Sequence, residues 1–180
     1  MKRFAAVLLT LAVLLCPSVR AAGPGISAAS AILIDGESGR VLYAQNAEEE
    51  RPIASITKLM TALLVAENCN LDDTVTFSAT ATTNLESGAV SIGMAEGDTM
   101  TVRQCLYALL LKSANEVGNA LAEHVAGSNA AFAEKMNAKA ASLGCTNTHF
   151  ANPHGLNDHR RHVPHKRRSR RPSGLRKTNW

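Results

Sequence analysis

The sequence has no internal repeat, and beyond its N-terminus no apolar run approaches the roughly 20 residues that crossing a membrane requires. Cysteine is scarce, with four in 180 residues, and the spacings match neither a zinc site nor a disulfide framework. Cys16 falls in a leader segment; Cys69, Cys105 and Cys145 lie near or within apolar stretches and read as small buried hydrophobes. An oxidising compartment would still allow one disulfide. No metal or cofactor is called for. Acidic residues are wholly absent after Asp158.

That last absence explains why the net charge of +4 misleads. From Ala22 to Asp158 there are 7 Lys and Arg against 15 Asp and Glu, a net of −8. From His159 to Trp180 there are 9 Lys and Arg, three histidines and no acid. An acidic body therefore carries a strongly basic tail. Almost nothing apolar occurs in residues 159–180, so this tail cannot build a core and is expected to be disordered. The abrupt change of composition is what a shifted reading frame would produce; a basic arm for nucleic acid or an anionic surface is the competing reading.

At the other end, Lys2 and Arg3 precede an apolar run from Phe4 to Cys16, followed by Val19-Arg20-Ala21. This is the pattern of a secretory signal peptide spanning 1–21, with cleavage after Ala21. Leu15 is too bulky to precede a lipidated cysteine, so Cys16 is not read as a lipid anchor. The chain is expected in the periplasm or another extracytoplasmic part of the envelope, with no membrane association encoded.

Between these ends, Ala29 to Ile34 and Val41 to Tyr43 flank the turn residues Asp35-Gly36-Glu37-Ser38-Gly39, which predicts a β-hairpin. Pro52 then breaks the chain before a helix. There Ile56, Leu59, Met60, Leu63 and Leu64 follow the spacing of one buried face. A short strand is expected around Thr74 to Phe77, then a loop to Gly97. Thr101 with Gln104 makes a capping box for a second helix. Ser113-Ala114-Asn115 interrupts the pattern, a third helix ends at Gly127, and a fourth closes at Gly144. The class is α/β with helices dominant.

Ser55-Ile56-Thr57-Lys58 is the only Ser-x-x-Lys in the chain. Three residues apart on a helix, the two side chains are neighbours on one face. A serine hydroxyl becomes a good nucleophile only when a base takes its proton. A lysine can be that base when neutral, a state that burial favours. The helix N-terminus adds unpaired N–H groups for a developing oxyanion. Spacing alone also fits a capping serine beside a solvated lysine. Ser113-Ala114-Asn115 is the only Ser-x-Asn, and it either caps the next helix or brings a second hydroxyl and an amide to the first pair.

Three segments together carry more than either motif: Arg51 to Ala62, Leu109 to Asn115 with Ala120 to Glu123, and Phe150 to Leu156. In order and approximate spacing they resemble the low-molecular-mass penicillin-binding proteins, the serine-type D-alanyl-D-alanine carboxypeptidases, from about Ala29 to Asn157. The resemblance implies the penicillin-binding/β-lactamase-like transpeptidase fold and acyl transfer on peptidoglycan pentapeptides, with β-lactams as inhibitors and no nucleic acid as partner. It implies Ser55 as nucleophile, Lys58 as its base, Ser113 as proton relay to the leaving amine, and Asn115 as the group holding Lys58 and the substrate backbone.

The family's third motif, Lys-Thr-Gly on a strand, does not occur; Lys177-Thr178-Asn179 is not a match. On this reading 22–158 is a partial domain whose C-terminal sheet strands are missing. The second oxyanion donor is then missing too, and one such donor is worth roughly 10²–10³ in rate. The chain as written is expected to acylate poorly or not at all. A class A β-lactamase would share the first two motifs, but it also needs a glutamate beyond Ser-x-Asn for its deacylating water. Here the last glutamate is Glu134, inside the fourth helix.

Overall fold

The computed structural model describes residues 23–83, 85–86 and 88–156. The signal peptide and the basic tail expected from the sequence lie outside the described residues. The described residues divide into two units, 23–49 and those from Glu50 on.

In the first unit, β1 (Ala31–Ile34) and β2 (Val41–Gln45) pair antiparallel, with Ala31 opposite Gln45 and Leu33 opposite Tyr43. The turn is held by Asp35, whose carboxylate accepts from both the backbone N–H and the hydroxyl of Ser38. These local bonds are what Asp and Ser offer a turn, and they hold the Asp35 carboxyl below the usual carboxylate range. The hairpin stands where the sequence predicts it.

The second unit opens with a 3₁₀ turn at Ala54–Ile56 that runs directly into α1 (Thr57–Asn68). Strand β3 (Thr74–Thr76) follows, then the single turn α2 (Ala79–Thr82), and β4 (Thr99–Thr101), which pairs antiparallel with β3. Three longer helices complete it: α3 (Val102–Leu111), α4 (Asn115–Ala126) and α5 (Asn129–Ser142). The Thr101/Gln104 capping box is present, with both reciprocal bonds formed. Helix α4 ends at Gly127 in the left-handed conformation, which glycine adopts without steric cost. The core gathers Val65, Phe77, Leu109, Val117, Leu121, Phe132 and Met136, mostly from α3, α4 and α5. Among the described residues no helix is long and apolar enough to cross a membrane.

One expectation holds only in part. The apolar spacing of α1 puts Ile56, Leu59, Met60, Leu63 and Leu64 on the buried face; Leu64 is buried and Met60 packs against the core, but Ile56 and Leu59 are each 63% exposed and Leu63 is also exposed. The side turned inward carries Thr57, Lys58, Thr61, Leu64 and Val65. It is a mixed stripe in which Lys58 and Thr61 are both bonded: Thr61 Oγ1 donates to the Pro153 carbonyl at 2.6 Å. Burying a hydroxyl is tolerable when it finds such a partner, so hydropathy alone finds Leu64 but misses Lys58 and Thr61 on the inward face.

Candidate active site

Ser55 sits in the 3₁₀ turn at the entrance to α1, exposed at the surface. The residue before it, Ala54, has φ +46, an unusual backbone angle for a residue with a Cβ. The 152–156 loop closes against this point. Gly155, at φ +83, lies so near that a Cβ built on it would stand 1.9 Å from the Ala54 carbonyl oxygen. Only glycine permits both that angle and that approach.

Lys58 is one turn further on, and it is 2% exposed. Its ammonium nitrogen has three oxygens around it: Ser55 Oγ at 3.1 Å, Asn115 Oδ1 at 2.9 Å and the His154 carbonyl at 2.9 Å. Three different stretches of chain therefore converge on one nitrogen. Burial holds the Lys58 pKa below the usual lysine value.

Ser113 lies between α3 and α4 in the left-handed region, φ +60. Such an angle costs a non-glycine residue roughly 1–2 kcal/mol, and here it accompanies a contact: Ser113 Oγ donates to Ser55 Oγ at 3.0 Å. Asn115, the first residue of α4, is 2% exposed. Its backbone N–H and its Nδ2 both donate to the Val90 carbonyl, at 3.0 and 2.8 Å. All four residues singled out in the sequence thus meet around Ser55 Oγ and Lys58 Nζ.

Sequence reasoning gave no role to His154, although it lies in a segment that carries the family resemblance. Its carbonyl accepts from Lys58, and its Nδ1 accepts from the Leu156 N–H at 3.1 Å. Burial, with the Lys58 charge added, lowers its pKa to about 4, so the ring is neutral at neutral pH. Val90 and Gly155 also went unassigned, because a backbone acceptor and a close approach leave no side-chain signature; Thr61 and Glu116 were missed because the backbone groups they bond lie far away in sequence. A separate cavity of about 760 Å³, lined by Asn119, Asn129, Asn137 and His149 among others, has His154 in its wall but not Ser55, Lys58 or Ser113.

A family model described as D-alanyl-D-alanine carboxypeptidase matches residues 18–167. The chain belongs to this carboxypeptidase family. A relative within it, the D-alanyl-D-alanine carboxypeptidase DacF of Bacillus subtilis (strain 168), is 39% identical over 136 residues, covering 73% of this chain and 34% of DacF. A D-alanyl-D-alanine endopeptidase of Pseudomonas aeruginosa PAO1 is 36% identical over 135 residues, covering 74% of this chain and 43% of the relative. Among solved structures, penicillin binding protein 5 from Haemophilus influenzae superposes with a TM-score of 0.72 at 30% identity, over 77% of this chain and 42% of that one. The chain therefore spans less than half the length of these members of the carboxypeptidase family.

Proposed function

We propose that the described residues form the nucleophile half of a serine-type D-alanyl-D-alanine carboxypeptidase site, acting outside the cytoplasm on peptidoglycan stem peptides and acylated there by β-lactams. The observation that carries this reading is the three-oxygen cage around Lys58 Nζ. A neutral lysine amine has two N–H bonds and one lone pair. Asn115 Oδ1 and the His154 carbonyl can only accept, so they take the two N–H bonds. The lone pair is left for the Ser55 hydroxyl, 3.1 Å away.

From that arrangement the steps follow. Ser55 Oγ attacks the carbonyl between two D-alanines while its proton passes to Lys58. Collapse of the tetrahedral adduct breaks the C–N bond. The leaving amine receives a proton through Ser113, whose hydroxyl already bonds Ser55 Oγ. Water then attacks the Ser55 ester and frees the shortened peptide.

The test joins residues 23–156 to the remainder of the Bacillus subtilis DacF chain, which supplies the length this chain does not span. The fusion should be labelled stoichiometrically at Ser55 by a fluorescent penicillin and should release free D-alanine from a pentapeptide. Ser55→Ala should abolish both, and the unfused chain should label far more slowly. A folded fusion that leaves Ser55 unlabelled would end this reading; rapid turnover of the penicillin would mark a β-lactamase instead.

A further inference from the structure

Outside the four residues already described, one fully buried acidic side chain has no cationic partner among the described residues. Glu116, the second residue of α4, is 1% exposed. Its Oε1 accepts from the Ser91 hydroxyl and the Ile92 N–H, each at 2.6 Å, and from the Gly93 N–H at 3.2 Å. Its Oε2 is buried with no hydrogen-bond partner among the described residues. The first turn of a helix is favourable ground for a carboxylate, but removing one from water is costly unless its bonds are well placed. All three of its donors come from one short stretch of loop.

The residue immediately before that stretch is Val90, whose carbonyl receives both donors of Asn115. An asparagine amide has a donor end and an acceptor end. With Nδ2 held by Val90, only Oδ1 is left to face Lys58. Turned over, the amide would present N–H groups to the lysine and disturb the orientation of its lone pair.

We propose that Glu116 is a positioning residue for this site: it clamps residues 91–93, the clamp fixes the Val90 carbonyl, and that carbonyl locks the Asn115 amide with its oxygen toward Lys58. The inference rests on reading Lys58 as the base. Its test needs no acylation, so the two can fail separately.

The experiment titrates Lys58 by NMR in the 180-residue chain, isotope-labelled at the lysine Cε, as wild type, Glu116→Gln, Asn115→Ala and the double variant. His154, the titratable group packed against Lys58, is neutral above about pH 4 and silent in the alkaline range. Asn115→Ala removes an acceptor that favours the ammonium, so the Lys58 midpoint should fall by about half a pH unit or more. Glu116→Gln should lower it in the same direction. In the Asn115→Ala background the Glu116→Gln effect should vanish, because its route to Lys58 runs through Asn115.

An undiminished effect in that background would mean Glu116 acts by its field or by general loosening, and the proposal would be overturned. A Lys58 midpoint indifferent to Glu116→Gln would overturn it too. Should Glu116→Gln not fold, Ser91→Ala removes one of the three donors and carries the same cycle. A smaller lowering that disappears without Asn115 supports the clamp; no lowering, or one that persists, refutes it.

Discussion

His154 gives its carbonyl to Lys58 and keeps its imidazole buried beside the same cation. The folded ring resists protonation down to about pH 4, whereas the unfolded ring takes a proton near pH 6.5. Between those values the unfolded state binds more protons, so stability is full above about pH 6.5 and is lost as the pH falls toward 4. The loss should be on the order of 2 kcal/mol. Urea midpoints at about pH 7 and about pH 4.5 should show a drop that is smaller in His154→Gln. An equal drop in both proteins would mean other groups carry the acid sensitivity. That Ser55, Lys58, Ser113 and Asn115 are candidates to stand together could be read from the sequence because each sits in a short motif. His154 could not, because what it gives the lysine is a backbone oxygen, which any residue carries.

Helix α1 shows where pattern reading stops at the scale of an element. Its existence, and the capped start of α3, follow from spacing and side-chain chemistry that act locally. Which side of α1 turns inward does not, because the 153–155 loop, far away in sequence, supplies the acceptors that let Lys58 and Thr61 be buried. Hydropathy would rank Leu59 above Thr61 as a core residue, and the structure reverses that order. Leu59→Glu should therefore change unfolding free energy by no more than about 0.5 kcal/mol. Val65→Ala, at a position with no exposure, should cost roughly 1–3 kcal/mol. Chemical denaturation of the two variants checks the pair, and a larger cost for Leu59→Glu would put the inward face back on the apolar stripe.

Across the whole molecule, the site is assembled from residues near 55, near 114 and near 154, held by bonds such as Ser113 to Ser55 and Lys58 to the His154 carbonyl. Gly155 is the point where the last segment meets the first. Gly155→Ala should push the loop off Ala54, because the displaced atom is backbone and the φ of +83 disfavours any Cβ. A cost of roughly 2–4 kcal/mol in urea unfolding is expected, with penicillin labelling of the DacF fusion lost alongside. Unchanged stability and labelling would show that the loop can yield without harm.

The reach from Lys58 to His154 also sets an order of events during synthesis. The bond spans 96 positions, so the lysine is made long before the carbonyl that encloses it. Until residues 153–155 have left the ribosome, the nascent helix presents Lys58 to water as an ordinary ammonium, and Thr61 lacks its acceptor. Only once residues 153–155 have emerged can the Lys58 amine acquire the three-oxygen surroundings that its proposed role as a base requires. A growing chain would thereby carry the proposed nucleophile Ser55 beside a lysine that is still hydrated.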